Sequence, residues 1–304
     1  MTSLLAIDVA GLKLENPTML AAGILGISGA FLKRVADAGA GAVVTKSIGL
    51  EPREGYPNPT VTQVDGGLIN AIGLANPGIN YFSGELGRMD DVAIPIVASV
   101  YGFLSRDYAD VAEKAAQAGA DAVELNLSCP HVARTGTEIG QSPQLVAEIV
   151  NEVKPRVDIP VFVKLTPNIA DVAEIAEAAT EAGADGITAI NTVRAMTINI
   201  ETAQPVLSNR IGGLSGPAVK PIAVRCVYEI SREVDVPVIG CGGVATWRDA
   251  VEFMLAGASA VQIGTAVAFQ GLEVFESITK GLSRYLKERR LSSAREIVGL
   301  SHRN

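Results

Sequence analysis

The chain has few of the side chains that hold metals or disulfides. Its 304 residues include three cysteines and two histidines. Cys129, Cys226 and Cys241 are odd in number and match no zinc or iron–sulfur spacing, so neither a disulfide framework nor a metal centre is expected. Two histidines are too few for a histidine-rich metal site. We expect a protein of a reducing, cytoplasmic compartment that binds no metal.

Basic runs and long apolar runs are also missing. The net charge is -8, and no Lys/Arg cluster interrupts the acidic surplus, which argues against binding to nucleic acid. The longest uncharged stretch near the N-terminus, residues 16–32, is shorter than the roughly 20 residues that span a bilayer. No targeting segment is recognisable.

A repeated unit organises what is present. The end of an Ala-rich helix, a glycine and a short apolar strand follow one another at 36–44, 116–123, 180–187 and 254–261. A proline followed by an apolar run marks further strands at 94–99, 159–164 and 236–240. Strands are predicted near 18–22, 41–45, 95–99, 121–126, 160–164, 186–191, 237–241 and 260–263, with helices near 29–38, 78–88, 105–118, 142–154, 170–182, 217–233, 246–256 and 269–288.

Eight strand–helix units with nearly continuous apolar strands are typical of a parallel sheet buried on both faces. We predict a (β/α)₈ TIM barrel that forms one domain over residues 1–304. A short hairpin turning at Ala10-Gly11 would close its bottom, and two long βα loops, 46–77 and 192–216, would lie over the active site. An open doubly wound sheet is the alternative, disfavoured because no G-x-G-x-x-G follows the first strand.

The predicted strand ends are polar and rich in glycine. Active sites of such barrels lie at the carboxyl ends of the strands. Those ends carry Ala22-Gly23, Lys46-Ser47, Ser99, Asn126, Lys164, Asn191-Thr192, Gly242-Gly243 and Gly264-Thr265. They include no Asp or Glu, which argues against a carboxylate-bound metal or a carboxylate pair. The glycines after strands seven and eight favour a phosphate site over simple tight turns.

Lys46 and Lys164 would both be buried in the mouth of the barrel. A buried ammonium group needs an anionic partner. The partner could be a ligand or a carboxylate of the barrel, and the absence of Asp and Glu from the strand ends favours a ligand. Asn70, Asn126 and Asn191 each offer a donor and an acceptor, and together they suit a pyrimidine-like amide ring better than isolated turns.

Cys129 directly follows strand four in the segment Asn-Leu-Ser-Cys-Pro-His. A cysteine there could act as a nucleophile, act as a base or simply fill space. His131 has no evident orienting acid, which argues against a protease-like dyad. Cys241 lies within strand seven, where packing is the favoured role, and Cys226 lies in a helical pattern and is expected in the core.

Seven segments resemble the class 1 dihydroorotate dehydrogenases, and the similarity runs over nearly the whole chain. They are Lys-Ser at 46–47, Asn-Ala-Ile-Gly-Leu-x-Asn-Pro-Gly at 70–78, Asn-Leu-Ser-Cys-Pro at 126–130, Lys-Leu-Thr-Pro at 164–167, Ile-Asn-Thr at 190–192, Gly-Gly-Leu-Ser-Gly-Pro-Ala at 212–218 and Gly-Cys-Gly-Gly-Val at 240–244. Residues 196–202 and the Asn-Pro-Gly at 76–78 resemble class 1B.

The resemblance implies FMN as cofactor and oxidation of (S)-dihydroorotate to orotate, with Cys129 as the catalytic base. It implies FMN contacts from Ala22, Lys46, Ser47, Ser99, Asn126, Lys164, Ile190, Gly216, Gly242, Gly243, Gly264 and Thr265. It implies orotate contacts from Lys46, Asn70, Ala71, Ile72, Gly73, Leu74, Asn126, Asn191 and Thr192.

Class 1B resemblance also implies a partner. Two catalytic subunits would join two subunits carrying FAD and [2Fe–2S], which pass electrons to NAD⁺. Three other functions remain open on the residues alone: an FMN barrel acting on another pyrimidine, a flavin-free barrel for phosphorylated sugars, and a non-catalytic binding subunit. Lys46 argues against the first, since uracil has no carboxylate.

Overall fold

A computed structural model describes residues 4–89, 92–127 and 139–303. Within these ranges the chain forms sixteen strands and nine α-helices. The strands are β1 (Ile7–Val9), β2 (Leu12–Leu14), β3 (Thr18–Leu20), β4 (Ala42–Val44), β5 (Val61–Val64), β6 (Gly67–Asn70), β7 (Ile96–Val100), β8 (Ala122–Asn126), β9 (Val161–Leu165), β10 (Gly186–Ala189), β11 (Val193–Ala195), β12 (Ile198–Asn199), β13 (Gln204–Pro205), β14 (Gly212–Ser215), β15 (Val238–Cys241) and β16 (Ala258–Ile263).

The helices alternate with the strands along most of the chain. They are α1 (Gly29–Asp37), α2 (Ile79–Leu86), α3 (Ser105–Gln117), α4 (Pro143–Val153), α5 (Val172–Glu181), α6 (Lys220–Glu233), α7 (Trp247–Leu255), α8 (Thr265–Gln270) and α9 (Glu273–Glu288). Among the described residues, no helix has both the length and the apolar character needed to cross a membrane.

Eight parallel strands close into a barrel. Around the barrel the order is β3, β4, β7, β8, β9, β10, β15 and β16, with β16 pairing back onto β3. Each strand pairs in parallel with the next along the chain because a helix returns the chain between them. The predicted (β/α)₈ barrel is confirmed.

The core has two main parts, one between the barrel wall and the helices, and one that joins interior strand residues, the hairpin and parts of α7 and α9. Outside the wall, strand residues such as Val43 and Val123 pack with helix residues such as Leu32 and Tyr108, all almost fully buried. Alternate strand residues face the interior because successive side chains point to opposite faces. Cys226 of α6 belongs to the outer core, as expected, and burial raises the pKa of its thiol to about 11.

The N-terminal hairpin closes the barrel interior at one end. β1 and β2 pair antiparallel around Ala10 and Gly11, which have φ angles of 52° and 93°. Val9 and Leu14 are buried in one cluster with the interior residues Met19 and Phe162. The predicted hairpin is confirmed, and its apolar face covers side chains that would otherwise meet water.

Glycines end the Ala-rich helices as the repeated pattern predicts. Gly119 and Gly183 follow α3 and α5 with φ angles of 98° and 103°. A residue with a side chain is strained in this left-handed conformation, whereas glycine is not.

The two long βα connections form a second sheet, which the sequence did not reveal. β5 and β6 come from the first connection, β11 and β14 from the second, and the four pair antiparallel in the order β11-β14-β6-β5. The prediction near the C-terminus was also wrong in part. Gly271, with a φ angle of 73°, separates α8 from α9, so a single helix over 269–288 does not form.

Candidate active site at the barrel mouth

A series of hydrogen-bonded side chains crosses the carboxyl ends of neighbouring strands. Ser47 Oγ and Ser99 Oγ lie 2.8 Å apart, and both residues are buried. Asn126 Nδ2 donates to Ser47 Oγ over 3.0 Å. On its other side, Asn126 Oδ1 accepts a hydrogen bond of 3.1 Å from Asn191 Nδ2, and Asn191 Oδ1 accepts from the backbone N–H of Thr192 over 2.7 Å. The fold thus brings together five residues predicted for the site, and their mutual bonds fix the orientation of both amides.

Lys46 precedes this series in the chain and is only partly buried. Among the described residues, no carboxylate pairs with its ammonium group. Burial lowers the pKa of Lys46, because desolvation disfavours the charged form. Lys46 therefore suits an anionic ligand, as the sequence predicts.

Lys164 does not need a ligand to compensate its charge, because its anionic partner is a side chain of the protein. Its Nζ donates to Glu124 Oε1 over 3.3 Å and to Gln262 Oε1 over 2.7 Å, deep in the barrel. Burial opposes the charge, but Cys241 and Glu124 outweigh it and the pKa of Lys164 is raised. Burial also raises the pKa of Cys241, which favours its neutral thiol, and Glu124 is the described carboxylate that pairs with Lys164.

The alternative favoured from the sequence, a ligand as the anionic partner of Lys164, was therefore wrong, and the other alternative, a carboxylate of the barrel, is what the structure shows. Glu124 was missed because the prediction used only the residues at the end of each strand. Glu124 lies two residues before the end of β8, and both it and Asn126 face the interior, because side chains alternate along a strand.

Glycine-rich turns after β14, β15 and β16 approach one another closely. A Cβ atom placed on Gly243 would lie 2.8 Å from the carbonyl oxygen of Gly216, and one on Gly216 would lie 3.3 Å from Thr265 Cγ2. Gly216, Gly242 and Gly243 all have positive φ angles. The turn after β16 begins at Gly264, and Thr265 Oγ1 donates to Ser215 Oγ over 2.7 Å. The two turns predicted to hold a phosphate, Gly242-Gly243 and Gly264-Thr265, thus lie against Gly216, a predicted FMN contact, and the glycines allow this close approach.

The predicted substrate segment 70–74 is held by the second sheet. Asn70 ends β6, and its Nδ2 donates to the carbonyl of Gly213 on β14 over 3.3 Å. Asn76, which belongs to a recognised motif but was assigned no contact from the sequence, donates to Leu74 O over 2.8 Å and to the Tyr101 hydroxyl over 2.7 Å. Asn76 therefore ties the segment to the end of β7.

The remaining predicted residues are distributed as follows. Ala22 is partly buried just after β3, and Ile190 is buried after β10 with its N–H donating to the carbonyl of Cys241 over 2.8 Å. Ala71 is buried, whereas Ile72 and Gly73 are partly exposed. Cys129 and His131 lie outside the described residues, so the role predicted for Cys129 stays a prediction.

A large groove lies away from this site, on the outside of the barrel. Its volume is about 910 Å³, and α6, α7 and α9 line it with side chains that include Tyr228, Trp247 and Tyr285. None of the predicted site residues borders it. Within the described ranges, no three His, Cys, Asp or Glu side chains are grouped to hold a metal ion. The convergence of polar side chains places the candidate site at the barrel mouth.

Residues 4–286 match the family model for dihydroorotate dehydrogenase. The chain belongs to the dihydroorotate dehydrogenase family. A relative from Pyrococcus abyssi, the catalytic subunit of dihydroorotate dehydrogenase B (NAD(+)), is 52% identical, and the alignment covers 98% of this chain and 99% of the relative. Proteins of the same name from Methanocella arvoryzae and Methanothermobacter thermautotrophicus are each 50% identical, with 97–98% of this chain and 97–99% of the relatives covered.

Membership of this enzyme family confirms the resemblance read from the motifs. Those motifs provide most of the polar residues at the mouth of the barrel. The motifs do not include Glu124 or Gln262, although both contact Lys164. The sequence signal for Glu124 is an acidic residue in the middle of an otherwise apolar strand, on the same face as Asn126.

Proposed function

We propose that the chain oxidises (S)-dihydroorotate to orotate in pyrimidine synthesis, using bound FMN, with residues 1–304 acting as one domain. The observation that carries the proposal is the series from Ser99 through Ser47, Asn126 and Asn191 to Thr192 at the mouth of a barrel of this family. Such a series presents oriented amides to a small polar ring.

The residues of the mouth fit FMN. Turns without side chains at Gly216 and Gly243 let a phosphate approach backbone N–H groups. Lys164 uses two of its three N–H bonds on Glu124 and Gln262, which leaves one for the flavin ring. When bound, FMN supplies the acceptor for the hydride that leaves C6 of the substrate. Its contacts would come from Ala22, Lys46, Ser47, Ser99, Asn126, Lys164, Ile190, Gly216, Gly242, Gly243, Gly264 and Thr265.

The substrate would be bound by charge and by amide pairing. Lys46 pairs with its carboxylate, because no described carboxylate competes for that ammonium group. The amides of Asn70, Asn126 and Asn191 match the alternating C=O and N–H groups of the ring. Backbone and side-chain contacts from Ala71, Ile72, Gly73, Leu74 and Thr192 complete the pocket.

Cys129 would take the proton from C5 while C6 is oxidised. The ordinary pKa of a thiol, about 8.5, is near working pH and suits a general base. The chain would work in the cytoplasm in a heterotetramer, in which two FAD and [2Fe–2S] subunits carry electrons to NAD⁺. The names of the relatives, which include NAD(+) and a catalytic subunit, support this assignment.

The visible spectrum of the purified protein tests the proposal. We expect a flavin band that is bleached when dihydroorotate is added without oxygen, and acid precipitation should release FMN. Dihydrouracil serves as the matched control, because it lacks the carboxylate that Lys46 would bind and should bleach the band far more slowly. Release of FAD, absence of flavin or equal reaction with dihydrouracil would contradict the proposal.

A further inference from the structure

Four buried polar side chains form one hydrogen-bonded group inside the barrel. They are Glu124 of β8, Lys164 of β9, Thr188 of β10 and Gln262 of β16, and none is more than 5% exposed. Lys164 donates to Glu124 and Gln262. Glu124 Oε2 accepts from Gln262 Nε2 over 2.5 Å and from Thr188 Oγ1 over 2.9 Å. Glu124, Lys164 and Gln262 thus close a ring of three hydrogen bonds, called the interior triad below.

We propose that Glu124 and Gln262 are positioning residues that keep Lys164 protonated and fixed as a hydrogen-bond donor to bound flavin. This inference rests on the proposed function, which places FMN against Lys164. The triad accepts only part of the hydrogen bonds that the Lys164 ammonium group can donate, so Lys164 can also donate to a bound ligand.

Counting donors supports this assignment. An ammonium group has three N–H bonds, and Glu124 and Gln262 accept two of them. The third has no acceptor among the described residues. Because Gln262 accepts from Lys164 through Oε1 and donates to Glu124 through Nε2, its amide has one satisfactory orientation. The ring therefore holds the ammonium group from two sides and leaves the third N–H in a defined direction.

The charge of Lys164 depends on Glu124. A buried ammonium group without a compensating anion loses its proton readily, because burial penalises the charged form. Glu124 is the one described carboxylate within 4.0 Å of Lys164. Among the described residues, Cys241 is the other titratable group that faces Lys164, and burial raises the pKa of its thiol, which favours its neutral form. Replacing Glu124 should therefore move the pKa of Lys164 downward.

The pH dependence of the flavin midpoint potential tests the role in the FMN-loaded protein. In Glu124→Gln, Lys164 is charged and uncompensated below its lowered pKa, so the potential should exceed that of the wild type. Above that pKa Lys164 is neutral, and the potential should fall below the wild type. The two curves should cross, because a positive charge favours the negative charge that flavin gains on reduction. Superimposable curves would overturn the proposal.

Two further variants separate charge from general damage to the fold. Glu85→Gln is the matched control, since Glu85 is a buried carboxylate of α2, outside the barrel interior, that pairs with Arg88, and its curve should follow the wild type. Combining Glu124→Gln with Gln262→Glu moves the carboxylate to the other triad position, 2.7 Å from Lys164, and should restore the wild-type curve. Failure of this exchange to restore the curve would count against a charge-positioning role.

A measurement on Lys164 itself separates this inference from the proposed function. A shielded ammonium group gives a lysine ¹⁵N NMR signal, which Lys164→Met identifies by its loss. We expect the signal at pH 8 in the wild type and not in Glu124→Gln. Equal signals would overturn the inference even if flavin binds. Purified protein without flavin would instead contradict the proposed function while leaving the charge state of Lys164 measurable.

If Glu124→Gln does not fold, Gln262→Met should still lower the flavin potential, and an unchanged potential would exclude positioning.

Discussion

At the scale of single side chains, the two lysines of the mouth differ in what compensates their charge. Lys164 has Glu124 as a permanent partner, and its pKa is raised. Lys46 has no described carboxylate partner, and burial lowers its pKa. The first lysine is therefore charged whether or not a ligand is bound, whereas the charge of the second is favoured by an anionic ligand.

Lys46→Ala should mainly weaken orotate binding, by roughly 2–5 kcal/mol, because the ligand carboxylate loses a desolvated partner. Bound orotate should raise the lowered pKa of Lys46, so binding takes up a proton at pH values above that pKa. Wild-type affinity should accordingly fall as pH rises through it. Calorimetric titration in buffers of different ionisation enthalpy measures both effects. The control Lys13→Ala replaces an exposed lysine of the N-terminal hairpin and should change neither the orotate affinity nor the proton uptake. Unchanged affinity in Lys46→Ala would contradict the carboxylate role.

Cys129→Ser should slow flavin reduction by about a hundredfold or more at neutral pH, with recovery as pH rises. A hydroxyl group is a far weaker base than a thiolate, and general-base catalysis contributes roughly 10²–10⁴-fold. Cys241→Ser is the matched control, because the pKa of Cys241 is raised by burial and its thiol stays protonated. Rapid mixing with dihydroorotate without oxygen measures both rates. Equal losses in the two variants would mean that Cys129 is not the base.

Individual residues of the mouth could be predicted when they end a strand. Ser47, Ser99, Asn126 and Asn191 follow apolar runs, and the carboxyl ends of parallel strands converge. Glu124 and Gln262 could not be found this way. They lie within strands that are far apart in sequence, and only the closure of the barrel brings them both to Lys164.

At the scale of elements, the eight barrel strands were predictable but the second sheet was not. Its strand β14 is Gly-Gly-Leu-Ser, which has no apolar alternation. The sequence did contain a signal for the hairpin of β5 and β6, since Asp65-Gly66 joins these strands as a two-residue turn. The pairing of β6 with β14 joins segments that are distant in the sequence, and local patterns do not encode it.

The turn after β15 allows a test of the phosphate site. Gly243→Ala should weaken FMN binding by about tenfold or more, equivalent to about 1.4 kcal/mol. Its new methyl group would lie 2.8 Å from Gly216 O, so the two turns must move apart. Gly119→Ala is the matched control, because Gly119 shares a positive φ angle but has no atom within 4 Å of a new Cβ. Fluorescence titration of released and rebound FMN measures the affinity, and equal losses would indicate backbone strain alone.

At the scale of the whole molecule, the barrel has one mouth in which flavin and substrate would lie together. The interior below the mouth is filled by the triad and by apolar side chains down to the hairpin. Reducing equivalents must therefore leave through the mouth or across the surrounding surface. They could pass to a small oxidant in the substrate pocket or to a redox centre of another subunit.

The isolated chain should not reduce NAD⁺ with dihydroorotate, and co-expression with an FAD and [2Fe–2S] subunit should enable it. No G-x-G-x-x-G follows the first strand, and the three cysteines are too few for a four-cysteine cluster. Relatives at 50–52% identity are named NAD(+)-dependent catalytic subunits, which implies a second subunit in those proteins. The assay offers NAD⁺, then fumarate, to the isolated chain, and then NAD⁺ to the co-expressed complex. NAD⁺ reduction by the isolated chain would contradict the prediction. Rapid turnover with fumarate alone would instead mean that the small oxidant shares the substrate pocket, because no second redox centre would then be needed.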